Sequence, residues 1–136
     1  MNYNALTLRY FEAAPTAGVL DGADVHRGAS GYHAQGTWVQ FDLRIDAGVI
    51  RSARFLCFGC PHTIAVSAWV AEHGVGTALR AVSRAALPES VEDLSRRFAV
   101  PVEKRGRLLL IEDAWIAALR CAAAQTAHRS IPMVDG

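Results

Sequence analysis

Three things are scarce in this 136-residue chain: long apolar runs, charge of one sign, and cysteine. No stretch approaches the roughly 20 consecutive apolar residues that a membrane-spanning helix requires. Lys and Arg number 14 against 13 Asp and Glu, a net charge of +1. That balance gives no electrostatic reason to bind nucleic acid or a membrane surface. The opening MNYNALTLRYFEAAP has neither the basic start nor the apolar core of a secretory signal. The expected compartment is therefore the cytoplasm, where thiols stay reduced. Three cysteines, Cys57, Cys60 and Cys121, then read as core residues or reactive ligands rather than a disulfide framework.

What is present is enough apolar material for one sizeable core. Hydrophobic residues make up 51% and charged residues 20%, which excludes a disordered chain. The expectation is one domain over residues 1–136 with a loose tail from about residue 130. No repeat, low-complexity tract or linker divides it.

Periodicity orders the elements. Asn4 to Ala13 suits a helix closed by Pro15 and Gly18, and Val25–His26–Arg27 a short strand. Between Gly36 and Asp46, Thr37, Val39, Phe41, Leu43 and Ile45 alternate with Trp38, Gln40, Asp42 and Arg44, the period of a half-buried strand. Asp46-Ala47-Gly48 turns the chain into a returning strand, Val49 to Phe58. Pro61 is placed to open a helix over Pro61 to His73, with Gly74 as its C-cap. A short helical piece follows around Thr77 to Ala86. Ser90 and Asp93 stand at capping-box spacing before Val91, Leu94 and Phe98. Val100-Pro101-Val102 reads as extended, Gly106 as a break, and Leu108 to about Arg129 as the longest helix. Strands first and helices afterwards argue an α+β fold: a small antiparallel sheet of about three strands with helices packed on one face.

Cys60 is the foremost chemical candidate. At a strand-to-helix junction the first N–H groups of the helix lie beside its sulfur, which lowers a thiol's pKa and favours the thiolate that binds metal or accepts sulfur. Cys57 completes a C-x-x-C with Cys60, but its alternation with Ala53 and Phe55 points it to the core. A structural zinc site needs four ligands, and His62, His33 and His26 lack the usual spacing for it. His62 in the first helical turn reads as a solvated or capping residue, and Cys121 as a small packing residue. Cys57, His62 and His33 remain candidate helpers to Cys60. Trp38 falls on the polar face, where a partner, a third layer or a second copy would cover it. Glu112 and Asp113 read as charges at a helix start.

The run VIRSARFLCFGCPHTIAVSAWVAEHGVG, the later VPVEKRGRLLLIEDAWIAAL and the upstream GTWVQFDLRID resemble, in order and spacing, the U-type iron–sulfur scaffold family (NifU N-terminal domain, IscU-like). The opening LRYFEAAPTAGVL fits more loosely. The resemblance covers nearly the whole chain and implies a protein of iron–sulfur cluster assembly rather than an enzyme. It implies a [2Fe–2S] cluster, iron or zinc as cargo, held mostly by cysteine, the ligand such clusters prefer. It also implies a cysteine desulfurase and an Hsp70-type chaperone as partners; a homodimer is a separate open reading. Of the family's ligand positions only Cys60 is retained. The first cysteine falls on Gln35, the aspartate on Thr37, and the histidine–cysteine pair on Gly106 and Arg107. A guanidinium is always charged and donates no lone pair to iron; beside Cys60 it would favour the thiolate and repel a cation. The family's chaperone segment falls on Val100, Pro101, Val102 and Lys104. The remaining readings are an adaptor that holds no metal and a thiol redox protein using Cys57 and Cys60.

Overall fold

The computed structural model describes residues 3–79 and 87–130, and of 126–130 only the helical backbone. Helix α1 (Ala5–Ala13) comes first, then the strands β1 (Val25–Tyr32), β2 (Thr37–Asp46) and β3 (Val49–Phe58). Helices α2 (Pro61–Gly74), α3 (Val91–Arg97) and α4 (Arg105–Ser130) follow, with 3-10 turns at His33–Gln35 and Val102–Lys104. The three strands form one antiparallel sheet in the order β1-β2-β3, as the alternation predicts.

Register explains which face is buried. Val39 pairs with Cys57, Phe41 with Phe55 and Leu43 with Ala53; apart from Cys57, which is partly covered, these side chains are buried. In a pleated strand they share one face, and α2 and α4 cover it. On the opposite face Asp42 accepts both Arg27 Nε at 2.7 Å and Arg27 Nη2 at 2.9 Å. The Leu20 N–H donates to the same carboxylate at 3.0 Å, which straps the 20–24 segment across that face. The β2–β3 hairpin turns on Ala47 and Gly48, at φ 52° and 75°, two left-handed residues that match the twist of the strands. Thr16 to Gly18 add a short parallel bridge to the free edge of β3 through Phe55.

Three readings of the sequence need correction. Strand β1 does not stop at Arg27 but runs to Tyr32. Its Gly-Ala-Ser-Gly run lacks β-branched residues, yet a Cβ on Gly28 would fall 2.1 Å from the Ala118 nitrogen of α4. Only glycine admits the helix backbone that close. Gly106 does not break the chain; it lies in the first turn of α4, which begins at Arg105. Gly74 is the last residue of α2 rather than its left-handed cap, and Val75 caps in an extended conformation. A Cβ there would meet the Trp115 ring at 2.3 Å. The piece expected around Thr77 to Ala86, and the tail after Ser130, fall largely outside the described residues.

Helix α4 turns Ile111, Ala114, Trp115, Ala118, Leu119 and Ala122 inward, the 3.6-residue stripe of a packed helix. Trp115 meets Phe41 edge to face at 5.0 Å between ring centres, worth about 1 kcal/mol beyond area burial. Helix α1 packs on α2. The Asn4 side chain caps α1 at Thr7 N and donates to the Arg97 carbonyl, while Thr7 Oγ1 donates to the Phe98 carbonyl at 2.7 Å. Ser90 caps α3 through Asp93 N, half of the expected capping box. Because α2 has the sheet on one side and α1 on another, it is buried nearly all round.

Candidate functional site

β3 ends at Phe58, Gly59 bridges, and Cys60 occupies the N-cap of α2 at φ −79° and ψ 168°. Pro61 supplies the first helical residue, whose missing N–H leaves nothing unpaired. The Cys60 sulfur is thereby held at the mouth of the helix, partly exposed. Its neighbours are Thr63 Oγ1 at 3.4 Å, the Thr63 and His62 backbone N–H groups, and the Arg107 guanidinium. Burial works against the thiolate, but these donors outweigh it and hold the thiol below its usual value. Arg107 comes from the first turns of α4, so the two segments far apart in sequence meet at one sulfur.

Cys57 has the opposite environment. Burial, and the nearby Cys60 sulfur, push its thiol up to about 12, although the Ser67 hydroxyl pulls the other way. Ser67 Oγ makes no directed hydrogen bond among the described residues. Cys57 packs against the core, which agrees with its alternation.

The expectation of a solvated or capping His62 is overturned. The side chain is 2% exposed, with Tyr3 edge-on at 4.7 Å. Burial, then the charges of Lys104 and Arg107, keep the imidazole below its ordinary pKa against a hydrogen bond to the backbone of Ala99. Its Nδ1 has no partner among the described residues. Tyr3 and the backbone of Ala99, both far from His62 in sequence, lie against it, contacts that helical periodicity cannot reveal.

The other predicted positions are dispersed. His33 is exposed and packs between Trp38, at 4.9 Å, and Phe58, at 5.2 Å. Gln35 is exposed in the 3-10 turn, Thr37 is buried at the start of β2, and Gly106 is exposed. Among the described residues no three His, Cys, Asp or Glu side chains come together to hold a metal ion. Val100 is buried, whereas Val102 is 72% exposed. Val102 belongs to the 3-10 turn Val102–Lys104, so the expected extended stretch ends at Pro101. Cys121, read as a packing residue, lies against His26, with its sulfur 3.9 Å from Nδ1.

The model of the NifU-like N terminal domain matches residues 2–128. The chain belongs to that family. Among curated relatives it is similar to Iron sulfur cluster assembly protein 1 of Trachipleistophora hominis, 26% identical over 124 residues, covering 87% of this chain and 84% of that protein. Among solved structures it resembles the N-terminal part of a NifU-like protein from Brucella abortus, with a TM-score of 0.67 at 21% identity, over 90% of this chain and 94% of that one. A protein from Fervidobacterium islandicum AW-1, described as an iron–sulfur cluster assembly scaffold for the SUF system, aligns with a TM-score of 0.53 at 15% identity, over 88% of each chain. At these identities the two structures speak for the fold. In this NifU-type chain, then, the three-stranded sheet and packed helices are those of the family. Among the described residues, the donors beside Cys60 are one thiol and a guanidinium, with no group of three metal-ligating side chains. No helix among the described residues is long and apolar enough to cross a membrane.

Proposed function

We propose that this chain serves iron–sulfur cluster assembly through Cys60, which carries sulfur, while any iron or zinc is completed by ligands from a partner or a second copy. One observation supports the reading above the rest: a partly exposed thiol with lowered pKa faces Arg107, and among the described residues no group of three donors accompanies it. A guanidinium repels a divalent cation but stabilises an anionic sulfur. In the transfer, the Cys60 thiolate attacks the terminal sulfur of a cysteine persulfide on a desulfurase. The donor's S–S bond breaks, a new S–S bond forms on Cys60, and the donor cysteine leaves as a thiolate that takes up a proton. No oxidant is consumed. In this reading the chain is a carrier and no residue is assigned catalysis. The cytoplasm suits its three unpaired thiols.

The test is incubation with a cysteine desulfurase and cysteine, followed by mass spectrometry of the intact chain. One added sulfur on the parent and none on Cys60→Ser is expected. No sulfur uptake by the parent contradicts the reading.

A second reading, a non-metal adaptor, draws on the exposed Val102 beside Pro101 and Lys104, a surface suited to an Hsp70-type chaperone. It predicts that Cys60→Ser binds chaperone and desulfurase as well as the parent does, with no sulfur moved. A Cys57–Cys60 redox couple fits less well, because a thiol pushed up to about 12 supplies almost no attacking thiolate.

A further inference from the structure

The close approach of α4 to β1 has a chemical consequence away from Cys60. Ala114, Ala117 and Ala118 surround Gly28 through their backbones, which seats the helix on the strand. One helical turn later stands Cys121, and two residues earlier on the strand stands His26, both on the inner side of that contact. Their side chains meet, with the sulfur 3.9 Å from His26 Nδ1. The imidazole is buried, at 7% exposed, and Cys121 is a partly exposed residue. Neither belongs to the Cys60 site, which lies at the start of α2.

We propose that Cys121 is a second reactive thiol of this chain, activated by the buried His26 imidazole and oxidised by small peroxides independently of Cys60. Nucleophilic cysteines are commonly activated by an adjacent base, and susceptibility to oxidation follows thiolate character and access. The thiol proton passes to Nδ1, and the sulfur attacks one oxygen of the peroxide. The O–O bond breaks, and the departing hydroxide recovers the proton from the imidazolium as water. Sulfur is oxidised by two electrons to a sulfenic acid while the peroxide is reduced.

On the β1 side, Asp24 is close enough for its carboxyl to be lowered partly by the charge on His26, after the larger effect of its Arg44 hydrogen bond. On β2 the cross-strand partner of His26 is the apolar Leu43, and the neighbouring Arg44 is engaged by Asp24 at 2.9 Å. On α4 the residues next to Cys121 that turn inward, Ala118 and Ala122, carry no charge. Cys57 is the internal contrast: a thiol facing the core, pushed up to about 12.

The experiment treats the full chain with hydrogen peroxide and a sulfenate-trapping reagent from mildly acidic to alkaline pH. Labelling of the Cys121 peptide is followed by mass spectrometry in the parent, Cys60→Ser and His26→Gln. The parent is expected to label at neutral pH about tenfold faster than a thiol with no base beside it. An unassisted thiol, with pKa about 8.5, loses about tenfold per unit below it. His26→Gln is expected to label about tenfold more slowly at neutral pH and to follow the unassisted profile. Cys60→Ser is expected to match the parent. An unassisted profile in the parent overturns the proposal, and so does a His26→Gln protein that labels like the parent. A Cys121 rate that moves with Cys60→Ser overturns the claimed independence. Should His26→Gln lose its circular dichroism signal, the profile of the parent decides alone. Failure of sulfur transfer to Cys60 leaves these outcomes untouched, so the two claims fail separately.

Discussion

Replacing Gly28 with alanine adds a single methyl group at the tightest contact between sheet and helix. The new Cβ would lie 2.1 Å from Ala118 N, 2.6 Å from the Ala117 carbonyl carbon and 2.7 Å from the Ala114 oxygen. Real Cβ atoms essentially never come within 3.0 Å of such neighbours, so at least about 0.9 Å of movement is needed. All three obstacles are backbone, and no rotamer change relieves them. Helix α4 must lift from β1, loosening the Phe41–Trp115 contact and the buried alanine stripe. Overpacking a core by a methyl costs about 1–3 kcal/mol, and the unyielding neighbours put this case at about 3 kcal/mol. Urea unfolding followed by circular dichroism measures it: the midpoint should fall at unchanged slope. Gly106→Ala is the control, because a Cβ there meets nothing within 4 Å and the residue is helical. It should stabilise by about 0.5–1 kcal/mol. A Gly28→Ala protein as stable as the parent would refute the claim that α4 rests on the β1 backbone.

Two further outcomes follow from the site and the strap. Arg107→Gln removes a donor that helps hold the Cys60 thiol below its usual value, so its pKa rises. Alkylation of Cys60 at neutral pH should slow about threefold to tenfold, while the rate at alkaline pH stays near that of the parent. Asp42 is kept below the ordinary carboxylate range: burial opposes this, but Arg27, the Leu20 N–H and Gln40 outweigh it. Its stabilising contribution is therefore present above the unfolded value of about 4 and is lost as pH falls through the lower folded value. Asp42→Ala leaves the Leu20 N–H and Arg27 without their acceptor and should cost about 1–3 kcal/mol. In that variant the acid-dependent loss should be smaller, as read from urea midpoints against pH.

Much of this was legible because a sheet buried on one face writes a period of two into its strands. Thr37 to Asp46 and Val49 to Phe58 carry that signal, and both strands stand where it places them. β1 was only partly legible, since its Gly28 serves a helix that arrives some 90 residues later. Local propensity records the weakness of Gly-Ala-Ser-Gly as a strand and not the reason for it. Gly106 misled for the converse reason: a helical glycine costs only about 1 kcal/mol, which a 26-residue helix absorbs. Cys60 was readable from Pro61 and the strand before it, and Arg107 from the family resemblance. The burial of His62 and the meeting of His26 with Cys121 were not, because both depend on segments brought together only by tertiary packing.

The most direct test of the account is metal analysis with an ultraviolet–visible spectrum of the isolated chain, purified without oxygen and then supplied with iron and sulfide, beside Cys60→Ala. For the monomeric fraction, separated by size, the expected result is a colourless protein with far less than one iron per chain in both. A coloured parent monomer carrying stoichiometric iron that Cys60→Ala loses would contradict this, since one thiolate facing a guanidinium would then be holding a cluster unaided.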